Sequence, residues 1–183
     1  MNFSQITDDL FIGNTPLATD YDQLRSLGVR LIINMRFSRG PEPDPAPSPL
    51  RLLWLRSIDS PFFPISMHSL MHGAQAALET VRAGGKVYSH CAYGKHRSVA
   101  MGACILIAQG MDALSAMELI KSRRAVADPD AFLRFGYARL LDHRQPRYEA
   151  MARWGVTVTA DEVAALRSAA DFDDLIARAI DRR

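Results

Sequence analysis

Apolar positions along the chain fall into short continuous runs and into stretches of helical spacing. Leu10-Phe11-Ile12-Gly13-Asn14 is a brief apolar run closing on turn-forming residues, the pattern of a short strand. Thr15 can cap a helix with Pro16 at its first position, and Leu17, Tyr21, Leu24 and Leu27 follow at helical spacing until Gly28 ends it. Leu31-Ile32-Ile33 is continuous and rich in β-branched residues, which predicts a strand covered on both faces. A further strand is expected at Leu52-Leu53-Trp54-Leu55. Between these two strands, residues 40–49 carry five prolines, which forbid a helix or an inner strand. That segment reads as an extended surface linker, with the wall of a pocket as its alternative role.

Helical periodicity resumes over residues 66–82 and stops at Gly84-Gly85. Lys86 to Ser89 reads as a strand, and helices are expected over residues 97–109, 113–123 and 129–144. This order of elements predicts an α/β fold, a central and mostly parallel sheet flanked by helices. After Pro146 the character changes. Thr159-Ala160-Asp161-Glu162 matches a capping box, and two short helices are expected over residues 160–168 and 171–182. Residues 1–145 are therefore read as the main domain and 146–183 as a helical extension whose alanines and alternating charge suit packing, with self-association as the alternative.

Composition narrows the function classes. A chain of 183 residues with 48% apolar content and a mean hydropathy of -0.06 suits an ordinary globular domain. A formal net charge of +2 gives no footing for nucleic acid. The two cysteines, Cys91 and Cys104, lie thirteen residues apart, the second within an apolar helical run. Reduced thiols and a cytoplasmic setting are expected. The amino terminus shows no basic region followed by an apolar core. The longest apolar run, Ala100 to Ala108, is far short of the ~20 residues a bilayer requires, so no membrane insertion is expected. His68 and His72 share a helix face without an acidic or thiol neighbour, so they read as a surface pair and not as a metal site.

The candidate chemistry lies in Val87-Tyr88-Ser89-His90-Cys91-Ala92-Tyr93-Gly94-Lys95-His96-Arg97-Ser98. Cys91 and Arg97 bracket five residues between a strand and an apolar helix, a loop long enough to wrap a tetrahedral anion. Inward N–H groups of residues 91–97, at a helix N-terminus, would favour a thiolate on Cys91 and hold phosphate oxygens as well. Arg97 has a planar fork that can grip two phosphoryl oxygens, which lysine cannot copy. Gly94 permits a tight turn with positive φ. Ser98 can donate a hydrogen bond to the Cys91 sulfur and so make it a better leaving group in a second step. Lys95 and His96 add positive charge beside the mouth, and His90 is read as ordering the loop.

His90-Cys91-x-x-Gly94-x-x-Arg97-Ser98 resembles the signature of the dual-specificity branch of the protein tyrosine phosphatase superfamily. Leu10 to Asn14, Gly28 to Asn34 and Ile120 to Arg124 are similar to that family's opening, second strand and late helix, so the resemblance spans about residues 5–145. It implies an atypical small phosphatase working through a phosphocysteine without metal or cofactor. It also implies a general acid on a loop about thirty residues before the cysteine, and Asp59 stands 32 positions before Cys91. Asp128-Pro129 looks like the acid dipeptide of the low-molecular-weight phosphatases. Those carry their cysteine near the N-terminus, so Asp128 is read as a helix N-cap instead. The expected partner is a phosphorylated protein, with a phosphoinositide as the alternative because Lys95, His96, Arg36 and Arg39 would suit a polyanionic head group. Two rival readings remain: a phosphate-binding module without turnover, and a rhodanese-like sulfurtransferase.

Overall fold

The computed structural model describes residues 1–59 and 65–128. The helix expected over 129–144 and the whole of the 146–183 extension lie outside these residues. Among the described residues the strands are β1 (Phe3–Gln5), β2 (Leu10–Gly13), β3 (Val29–Asn34), β4 (Arg51–Trp54) and β5 (Lys86–His90). The helices are α1 (Tyr21–Ser26), α2 (Met67–Arg82), α3 (Arg97–Ala108) and α4 (Ala113–Arg123), with a 3-10 turn at Ala18–Asp20 before α1. The strands form one sheet in the order β1-β2-β5-β3-β4. Only the β1–β2 pair is antiparallel among these neighbours; β2–β5, β5–β3 and β3–β4 are parallel.

Burial on two faces explains the continuous apolar strands. Leu10, Ile12, Leu31, Ile33 and Val87 face a core filled by α2, α3 and α4. Phe11, Ile32 and Tyr88 face the opposite side, where Tyr21 and Leu24 of α1 and Leu50 cover them. Each such side chain contributes about 1.5–3 kcal/mol on burial. With both faces apolar, the pattern alone leaves the register open. An irregularity in the β3–β5 ladder helps to set it: Val29 pairs with Lys86 and Leu31 with Val87, so Arg30 is passed over and points to solvent.

Two local readings are corrected. The helix after Thr15 starts later than its pattern suggests, because Thr15 does not cap. Its hydroxyl donates to the Cys91 carbonyl (3.0 Å) and accepts from Arg36 Nη1 (3.2 Å). Asp20 takes over at the helix start, its carboxylate accepting from the Leu17 N–H at 2.8 Å. β1 has too little apolar pattern to be read from sequence. It is held by pairing with β2 and by Phe3, which meets the Phe11 and Tyr88 rings edge-on at 5.8 and 6.1 Å. The proline-rich segment is more than a linker. Asp44 within it is buried, takes both bonds from Arg25 Nη2 (2.8 and 2.7 Å), and accepts from the Leu50 N–H at 2.7 Å. Burial raises the Asp44 carboxyl, but the Leu50 N–H, Arg25 and the Ala46 N–H together hold it below its usual range. The segment is thereby fastened to α1. No helix among the described residues is long and apolar enough to cross a membrane.

Candidate active site

β5 lies between two parallel neighbours, so the loop leaving its carboxyl end opens at the edge where α/β sheets place their ligands. Gly13 at the end of β2 is level with His90, and Asn34 at the end of β3 is level with it on the other side. His90 itself is buried against Tyr88, ring centroids 5.9 Å apart, and burial pushes its imidazole down to about 3. A neutral, packed ring suits the ordering role read from sequence.

The shape of the loop follows from where its carbonyls go. The Cys91 carbonyl accepts from Thr15 Oγ1, the Tyr93 carbonyl from Arg124 Nη2 (3.1 Å), and the Gly94 carbonyl from Arg124 Nε (2.6 Å). The Lys95 carbonyl accepts from the Asp128 N–H at 3.1 Å. A trans peptide points its C=O and its N–H in opposite directions. With these four carbonyls engaged on the outside, the N–H groups of Ala92, Gly94, Lys95 and His96 turn toward the interior of the loop. Gly94 makes the turn at φ +67, and a Cβ there would come within 2.6 Å of the Gly13 backbone. The Tyr93 side chain points out, 78% exposed, so this position serves the loop through its backbone.

Cys91 sits beneath this ring, only 2% exposed, with Sγ 3.4 Å from Ser98 Oγ. Burial pushes its thiol up. The Ser98 hydroxyl, the Ser98 and Lys95 N–H groups and the charge of Arg97 outweigh that cost, and the net result is a thiol held below its ordinary range. Arg97 opens α3 and is also buried. Its Nη1 donates to the Met35 carbonyl (3.1 Å) and the Ser57 carbonyl (2.8 Å), and its Nη2 lies 3.4 Å from Asp59 Oδ2. One edge of the guanidinium is thus fixed to the exits of β3 and β4. Its buried Nε makes no hydrogen bond to protein. That leaves a donor of the fork for an anion in the loop.

The structure brings Asp59 to the same place. Besides Arg97, its Oδ1 lies 3.3 Å from His96 Nδ1, and the carboxylate is 39% exposed. Asp59 therefore stands at the mouth, between solvent and the arginine.

Two residues of the site escaped the sequence reading. Arg124, 2% exposed, gives its donors to neutral oxygens: the two loop carbonyls, Asn2 Oδ1 and Ser4 Oγ. It clamps the loop to the amino-terminal strand. A basic residue closing α4 was the available signal, but nothing local tells a buried clamp from a helix-end cation. Asp128 was read as a helix N-cap, and the helix in question lies outside the described residues. Its described contacts are with the loop, Oδ2 lying 3.3 Å from His96 Nε2 and 3.8 Å from Lys95 Nζ. Lys95 and His96, read as positive charge beside the mouth, thus face the Asp128 carboxylate.

No family model matches the chain. Human dual specificity phosphatase 28 is 31% identical over 128 residues, which cover 69% of this chain and 70% of that protein. The chain belongs to the dual-specificity phosphatase family. Mouse dual specificity protein phosphatase 13B is 27% identical over 160 residues, covering 80% of this chain and 75% of the relative. The crystal structure of a mouse putative dual specificity phosphatase complexed with zinc tungstate superposes with a TM-score of 0.66 at 27% identity, over 83% of this chain and 90% of that one. This member of the dual-specificity family is thus a cysteine-dependent protein phosphatase with the family's sheet and flanking helices.

Proposed function

We propose that this chain hydrolyses phosphoprotein monoesters with Cys91 as nucleophile, Arg97 as phosphate clamp, Asp59 as general acid and base, and Ser98 as the donor that steadies the sulfur. The observation that carries the assignment is the outward engagement of four loop carbonyls, which turns the loop amides inward above the Cys91 sulfur.

The chemistry runs in two displacements. The Cys91 thiolate attacks phosphorus in line, the S–P bond forms, and the P–O bond to the leaving group breaks. Asp59 gives its proton to the departing oxygen, which leaves neutral. Asp59, now a carboxylate, takes a proton from water as that water attacks the phosphocysteine. The S–P bond breaks, the electron pair returns to sulfur, and the Ser98 hydroxyl receives the thiolate with a hydrogen bond. Through both steps the loop amides and Arg97 meet the charge on the equatorial oxygens. Tungstate, named with the mouse relative, is a tetrahedral oxyanion of phosphate's shape. It is the natural probe for residues 91–97.

Phosphoprotein is preferred to phosphoinositide because the four basic side chains that favoured a polyanion are engaged. Lys95 and His96 face Asp128, Arg36 donates to Thr15, and Arg39 pairs with Glu42 at 3.3 Å. Cys91→Ser is expected to abolish turnover of aryl phosphates and phosphopeptides while keeping tungstate binding, measured by calorimetry. Retained turnover would remove the nucleophile. Faster turnover of inositol phospholipids than of phosphopeptides by the unaltered chain would overturn the substrate preference.

A further inference from the structure

His96 occupies the N-cap position of α3, yet its side chain makes no capping bond. Its ring is held elsewhere. Nδ1 lies 3.3 Å from Asp59 Oδ1, and Nε2 lies 3.3 Å from Asp128 Oδ2 as a charge contact rather than an aligned hydrogen bond. Asp128 is itself anchored, its N–H donating to the Lys95 carbonyl and its carboxylate lying 3.8 Å from Lys95 Nζ. One ring inside the phosphate loop therefore stands between an aspartate arriving from β4 and an aspartate arriving from α4.

We propose that His96 is a positioning residue for the general acid, and that Asp128 orients His96. The inference rests on the assignment of Asp59 as that acid. A carboxylic acid has two oxygens, and only one of them holds the proton it transfers. In the tautomer with His96 Nδ1–H donating, Oδ1 serves as acceptor and is tethered to the loop. Oδ2 accepts from Arg97 Nη2 at 3.4 Å, and a phosphoryl group gripped by that arginine takes the donor over, leaving Oδ2 as the oxygen that carries the transferred proton. The 39% exposed Asp59 needs such a tether, because a solvated carboxyl samples orientations that miss the leaving oxygen. The charge of Asp128 on the far side keeps the ring from swinging out to solvent.

The test separates positioning of the acid from building of the loop. Phenyl phosphate has a poor leaving group that needs a proton, and 4-nitrophenyl phosphate has a good one that scarcely does. In the whole 183-residue chain, His96→Ala is expected to lose roughly tenfold more kcat/KM on phenyl phosphate than on 4-nitrophenyl phosphate, while tungstate inhibition changes less than about twofold. His96→Asn, whose amide can replace the Nδ1 donor, recovers part of the loss, and Asp128→Asn shows the same selectivity more weakly. In the double variant His96→Ala/Asp59→Ala, the kinetics match Asp59→Ala alone, since a tether has no effect without the group it holds. Equal losses on both substrates for His96→Ala, with weakened tungstate inhibition, would overturn the proposal and leave Asp59 as the acid. Losses that multiply in the double variant would overturn it as well. If Asp59→Ala itself fails to discriminate between the substrates, the acid assignment falls, and the role of His96 falls with it.

Discussion

Cys91 and Cys104 lie on the same stretch of chain, one in the loop before α3 and one within that helix, and both are free and buried, 2% and 3% exposed. Their thiols are driven in opposite directions. At Cys104 burial acts alone and pushes the thiol up to about 12. Relative to an ordinary thiol, that amounts to roughly 4 kcal/mol against the anion. At Cys91 burial acts in the same sense, yet the thiol ends below its ordinary range. Hydrogen bonds to a charged group are worth about 1.5–3 kcal/mol each. The Ser98 hydroxyl, the Ser98 N–H and the Lys95 N–H, with Arg97 behind them, can therefore exceed a cost of that size. Depth of burial does not decide reactivity in this molecule. What decides it is whether donors, the Ser98 hydroxyl first and the Ser98 and Lys95 N–H groups after it, are turned toward the sulfur.

The contrast can be broken from the loop side. Arg97→Lys keeps a positive charge but loses the planar fork and its bonds to the Met35 and Ser57 carbonyls. Turnover of 4-nitrophenyl phosphate is expected to fall roughly 10²–10³-fold. A loss under threefold would mean that charge alone holds the phosphate. Asp59→Ala should cost about 10²-fold with phenyl phosphate and only a few-fold with 4-nitrophenyl phosphate, read from kcat in a leaving-group series. Ser98→Ala removes one of the donors that separate the two sulfurs. The expected outcome is a fall in kcat of about tenfold, together with a rise of the Cys91 thiol toward ordinary values. An unchanged alkylation profile in that variant would assign the effect to the backbone amides.

How far this site could be read in advance depended on how local its causes are. β5, the loop and α3 form one uninterrupted stretch, and an apolar run, a glycine and a Cys/Arg pair at fixed spacing announce all three. Leu31 to Ile33 announced an inner strand because both faces are covered by the two clusters that pack on the sheet. The clamps were not legible. Arg124 reaches back about thirty residues to Tyr93 and Gly94 and over a hundred to Asn2, so its role exists only once the sheet has closed. Thr15 looked like a helix cap because its local sequence fits one, but the Cys91 carbonyl, 76 residues away, competes for the same hydroxyl and wins. β1 has one apolar residue in three and depends on β2 for its form. Lys95 and His96 could be read as charge beside the mouth but not paired with Asp128, the group that faces them, because it lies more than thirty residues downstream.

The measurement that bears most directly on the account is the pH dependence of thiol alkylation by iodoacetamide, with the modified cysteine located by peptide mass. A thiol held below its ordinary range keeps its anion as pH falls, so the Cys91 rate should rise and level off below the roughly 8.5 of a free cysteine. Cys104 should remain unmodified throughout in the folded chain. A Cys91 rate that climbs only near or above that ordinary value, or comparable modification of both cysteines, would contradict the claim that the loop holds its sulfur as an anion.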